Sequence, residues 1–118
     1  MVFYDNHGKP TAYTEDDMHI FLFTGQPVAY LSGDAVFGFN GRLLGWFNNG
    51  WIRDLNGYCV FYSENATGCG PSMPSRGSCP SKGSKASMPS KASMQSRCSR
   101  ASDKTGWSPL SGKQFFAQ

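Results

Sequence analysis

The chain has 118 residues, room for one modest domain, and no run approaches the ~18–20 consecutive apolar residues that a membrane span needs. Its net charge of +3 hides two opposed halves: residues 1–66 carry Lys9, Arg42 and Arg53 against seven acids (−4), and residues 67–118 carry eight Lys/Arg against Asp103 alone (+7). Only Trp107, Phe115 and Phe116 of the aromatic residues lie beyond residue 66, so the first half can build a core and most of the second cannot. Met1 leads straight into Val2-Phe3-Tyr4-Asp5, with neither the basic nor the long apolar stretch of a secretory leader. The expectation is a cytoplasmic chain, although export without a signal would leave no mark. Cys59, Cys69, Cys79 and Cys98 form no C-x-x-C pair, and their spacings match no common zinc pattern, so free thiols are expected.

In chain order, the first half is a set of repeats. Gly8, Gly25, Gly41 and Gly57 are spaced 17, 16 and 16 residues apart, and an aromatic follows each by five: Tyr13, Tyr30, Trp46 and Tyr62. The residue before that aromatic is small in three units (Ala12, Ala29, Gly45) and is Phe61 in the last, which suggests that the fourth unit packs differently. Each unit reads as strand, tight turn, strand. Asn40-Gly41 and Asn56-Gly57 suggest type I′ turns, in which both central residues take positive φ. The links Asp16-Asp17, Ser32-Gly33-Asp34 and Asn48-Asn49-Gly50 are turn chemistry too. A lone hairpin cannot bury its apolar face, but four around a common axis can. The fold expected is therefore all-β: four β-hairpin repeats around a pseudo-four-fold axis over residues 1–66.

Three segments carry a family resemblance: Gly8-Lys9-Pro10-Thr11-Ala12-Tyr13, Gly25-Gln26-Pro27-Val28-Ala29-Tyr30 and Val36–Phe47. With them, residues 2–66 resemble the bacterial four-fold β-flower domain; Gly106-Trp107-Ser108-Pro109-Leu110-Ser111 and Phe115-Phe116 resemble the ending of such proteins. The resemblance implies a compact four-hairpin fold and no established activity. Cys59 and Phe61 depart from the small apolar residues usual there.

The tail, residues 67–105, has a different rhythm. From Ser72 to Ser102 every third residue is serine, preceded by a mostly small residue and followed by a mostly long one. A three-residue period forms straight columns on polyproline II and on neither an α-helix nor a strand. The tail is thus expected to be polyproline-II-like against a partner, or disordered without one. One column is basic: Arg76, Lys82, Lys85, Lys91, Arg97 and Arg100. Residues 106–118 form a third segment, with Trp107, Leu110, Phe115 and Phe116 as an apolar anchor and Ser108-Pro109 as a helix start.

Catalytic chemistry is not legible. His7 sits at a hairpin tip beside Asp5, a poor cleft for acid–base work, and Glu15, Asp16 and Asp17 read as a solvated loop or a seat for the basic tail. No phosphate loop or dinucleotide fingerprint appears, and no enzyme, metal or cofactor is implied. Three functions compete. The first is a non-enzymatic interaction or self-assembly module in which an acidic head receives a basic tail, its own, a neighbouring copy's or another protein's. The second is binding of an anionic polymer such as nucleic acid through the basic column. The third is a carbohydrate or quaternary-amine site on Tyr30, Trp46, Trp51 and Tyr62, by analogy with hairpin solenoids that trap ligands between aromatics.

Overall fold

A computed structural model describes residues 1–118. Eight strands follow in order: β1 (Val2–Tyr4), β2 (Pro10–Tyr13), β3 (His19–Leu22), β4 (Pro27–Ser32), β5 (Ala35–Phe37), β6 (Leu43–Asn48), β7 (Trp51–Asp54) and β8 (Cys59–Tyr62). Each pairs antiparallel with its sequence neighbours, and β1 pairs with β8, so the sheet closes into a barrel with no free edge.

The four tip turns share one geometry, and it is not the type I′ turn suggested by Asn40-Gly41 and Asn56-Gly57. In each, a glycine amide donates back three residues: Gly8 to Asp5, Gly25 to Leu22, Gly41 to Gly38 and Gly57 to Asp54. Only the glycine has positive φ, between 77° and 97° at these four positions. This is a four-residue turn closed by a left-handed glycine, with a register shift in each odd strand, at Phe3/Tyr4, Ile20/Phe21, Val36/Phe37 and Ile52/Arg53. Side chains favour the wider turn: Asp5 Oδ1 accepts from the His7 and Lys9 amides, and Asp54 Oδ1 from those of Asn56 and Tyr58. Two consecutive residues with positive φ occur instead at the Asn49-Gly50 link between β6 and β7.

Inside the barrel, large residues face small ones across each hairpin: Phe3 opposite Ala12, Ile20 opposite Ala29, Val36 opposite Gly45. The fourth hairpin places Phe61 opposite Ile52. The three small positions leave interior space that Phe61 and Phe115 fill, both fully buried, with ring centroids 6.0 Å apart. Phe115 comes from α1 (Gly112–Phe116), a short helix that plugs the barrel mouth. Its cap is Ser111, not Ser108. Ser111 and Gln114 complete a reciprocal capping box, while the Ser108 hydroxyl is engaged elsewhere, donating to Asp54 Oδ2 over 2.5 Å.

The tail packs on the barrel. The radius of gyration, 13.2 Å, is that of one compact body of this length, about 13.5 Å by the usual scaling. No helix is long and apolar enough to cross a membrane.

Candidate functional site

Side chains alternate across a strand, so a second set points outward, and here it is largely aromatic. Between successive hairpins, outward residues face each other across the strands: Tyr62 and Tyr4, Tyr13 and Phe21, Tyr30 and Phe37, Trp46 and Arg53. The first three seams are stacked ring pairs with centroids 5.3, 6.1 and 5.9 Å apart. The fourth replaces the second ring with an arginine.

Residues 69–104 run round the barrel as an extended belt and cross these seams in order. At the hairpin tips the fit is close. A Cβ on Gly8, Gly25, Gly41 or Gly57 would overlap the carbonyl oxygen of Ser75, Ser84, Ser93 or Ser102, four serines spaced nine residues apart. Two residues after each of these serines, a belt amide donates to the tip glycine: Gly77 to Gly8 O (2.8 Å), Ala86 to Gly25 O (2.9 Å), Gln95 to Gly41 O (2.7 Å) and Lys104 to Gly57 O (3.0 Å). Gly83 and Ala92 bond likewise to Phe23 O and Phe39 O. The dimensions agree: nine extended residues at ~3.1 Å each cover about 28 Å, a quarter of the roughly 110 Å circumference of a body 35 Å across.

Over the seams the belt presents cations to ring faces. Lys82 Nζ is 4.5 Å from the Tyr13 centroid and Lys91 Nζ is 4.5 Å from that of Tyr30. Lys85 lies 5.0 Å from Phe21, Arg97 5.3 Å from Phe37 and Arg76 5.9 Å from Tyr4. Only one acid of the barrel pairs with the basic column: Glu15 accepts from Lys82 (3.0 Å) and from Lys85. Those hydrogen bonds, Lys85 first, lower the Glu15 carboxyl to about 2. Asp16 instead holds its own loop, accepting from the Met18 and His19 amides and from His19 Nδ1 at 2.7 Å. The His19 bond is the main cause that keeps Asp16 well below the usual carboxylate range.

The belt closes at Arg53, which is 2 % exposed. Its Nη1 donates to Gly57 O and Lys104 O, each 2.8 Å away, and Nη2 donates to Cys69 O. One guanidinium thus holds the first and last residues of the belt. Its Nε lies 3.4 Å from Asp103 Oδ1, an electrostatic contact without a directed hydrogen bond. Arg100, the last of the basic column, pairs with Asp103 at 2.6 Å.

The apolar anchor residues separate. Trp107 lies outside, against Trp51 and Tyr62, where Ser108 N donates to Cys59 O over 2.7 Å. Leu110, Phe115 and Phe116 enter the mouth, where Phe116 stacks on Phe61 at 5.3 Å. Tyr30, Trp46, Trp51 and Tyr62 are all no more than 5 % exposed, so none offers an open ring face. Tyr62 donates its hydroxyl to Pro74 O. The four thiols are unpaired; burial above all raises that of Cys59 to about 11. No group of three or more His, Cys, Asp or Glu side chains converges to hold a metal.

Two features escaped the sequence reading. The belt repeats every nine residues as well as every three, a signal carried by Pro71, Pro80 and Pro89. Arg53 stands where the other units have Tyr4, Phe21 and Phe37, a break visible once the repeats are aligned.

A family described as 4-fold beta flower protein matches residues 1–116, a span that takes in barrel, belt and plug. No curated protein and no solved structure matches the chain significantly.

Proposed function

The chain belongs to the 4-fold beta flower family, and on that footing we propose that it is a non-enzymatic interaction module whose barrel exterior grips an extended, basic, small-residue strand. In this chain the belt itself fills that receptor. The observation that carries the reading is the combination of backbone bonds at all four hairpin tips with belt cations over the seam rings. Backbone bonds read the strand as extended, and the rings read its charge. The same contacts are available to an equivalent strand from another copy, which is the route to self-assembly. Binding of an anionic polymer has less support, since every cation of the basic column faces a ring or a carboxylate of its own chain.

The test is exchange. A protease site placed after Gly68, in an exposed stretch, allows the intact folded chain to be cut between barrel and belt. The reading predicts that the fragments stay associated after cutting and that a labelled 69–118 peptide replaces the resident one. Fragments that separate on cutting, or a resident segment that never exchanges, would sink it.

A further inference from the structure

The four seams are not equivalent. Where the sixth residue of each nine-residue belt segment crosses, the barrel offers Tyr4, Phe21, Phe37 and Arg53 in turn. The belt answers with Arg76, Lys85, Met94 and Asp103. Arg76 and Lys85 sit over the first two rings; over Phe37 the cation arrives one triplet later, from Arg97. At the last seam both partners change sign together: the ring becomes a buried guanidinium, and the belt cation becomes an acid 3.4 Å from its Nε. Resting on the reading above, we propose that Arg53 makes the fourth seam a carboxylate-reading slot, and that the barrel recognises a strand with cations in its first two segments and an acid in its fourth, at nine-residue spacing.

The physical reason is register. A strand whose segments recur every nine residues can slide by nine and still present an amide to every tip, whereas a slip of three brings Pro74, or Pro80 and Pro89, which have no N–H, to a tip. Cations over aromatic rings do not stop such a slip, because neighbouring seams are alike. A buried arginine does, since a slip of nine would bring Met94 or Gly112 to that slot and leave the guanidinium without its counter-charge away from water. Asp103 is the only acid in residues 67–118, so the slot has a single match along the strand. Closure at Arg53 also fixes where the belt starts, because the same guanidinium holds Cys69 O and Lys104 O. Any strand seated in place of the belt, including that of a second copy, is then required to carry an acid in its fourth segment.

Amide exchange in the intact chain tests this, with D103N and D103K alone and with D103K combined with Arg53→Phe, which restores the ring of the other seams. D103K is expected to speed exchange at the Lys104 amide by roughly ten-fold or more, with D103N intermediate and the Gly77 and Ala86 amides little changed. The R53F/D103K pair is expected to be better protected at Lys104 than D103K but short of wild type, because the bonds from Arg53 to Cys69 O and Lys104 O are lost with the guanidinium. Wild-type exchange at Lys104 in D103K overturns the proposal. So does a folded double variant no better protected than D103K alone. If R53F prevents folding, the order wild type, D103N, D103K decides on its own. These amides are read within one chain, so they report on the slot even if the cut belt never exchanges. A failure here with successful peptide exchange removes the code and leaves the receptor.

Discussion

Gly41 shows at the residue scale how one position serves two partners. Its φ of +86° closes the tip turn, and its bare Cα lets the Ser93 carbonyl approach. Gly33 has a φ of +61° but nothing near its Cα, so it isolates the first of these effects. We expect Gly33→Ala to cost about 1 kcal/mol of stability through backbone strain alone, and Gly41→Ala to cost more. Gly41→Ala should also free the Ala92 and Gln95 amides, as thermal melts and amide exchange would record; equal effects of the two variants would contradict the close packing. Glu15 gives the pH counterpart. Its carboxyl is lowered on folding, so its contribution is present above its ordinary value near 4.5 and is lost as pH falls toward about 2. The Lys82 and Lys85 resonances should move with Glu15 across that window in an NMR titration, and a Glu15 titrating at its ordinary value would remove the pairing. Among the thiols, three of four are exposed while Cys59 is buried and raised to about 11. Alkylation of the native chain should therefore stop at three and reach four only on unfolding.

The hairpins were legible at the element scale because each carries its own signal: a left-handed glycine, an aromatic five residues later and polar links. The turn type was not, because Asn-Gly suits both a two-residue type I′ turn and the wider turn, and the Asp5 and Asp54 side chains favour the second. The kind of contact that the tail makes was not legible. Opposite charges on the two halves suggested ion pairing, yet the cations sit over Tyr4, Tyr13, Phe21, Tyr30 and Phe37, residues that a charge count ignores. Helix α1 was misplaced by three residues because Ser108-Pro109 offers a cap and a first helical position, whereas Ser111 with Gln114 three residues on carries the capping-box pattern and the Ser108 hydroxyl is taken by Asp54. The plug itself carries a plain prediction. Phe115 is fully buried in the barrel core, so Phe115→Ala should cost about 3–5 kcal/mol in denaturant unfolding. A loss under 1 kcal/mol would mean the mouth closes without it.

For the whole molecule, the balance of forces decides how the belt responds to salt. Exposed ion pairs contribute about 0–1 kcal/mol each and are screened. Backbone hydrogen bonds and ring contacts contribute about as much each and are screened far less, and they are the more numerous. The belt should therefore stay seated in molar sodium chloride, with scattering showing an unchanged radius of gyration; expansion with salt would place the binding in the charges instead. The central claim, that the barrel seats the tail through its hairpin tips, is tested most directly by native amide exchange across residues 67–105. The account predicts slow exchange at Gly77, Gly83, Ala86, Ala92, Gln95 and Lys104, with the serine amides between them fast. Uniformly fast exchange through the whole segment would contradict it and leave the aromatic seams bare.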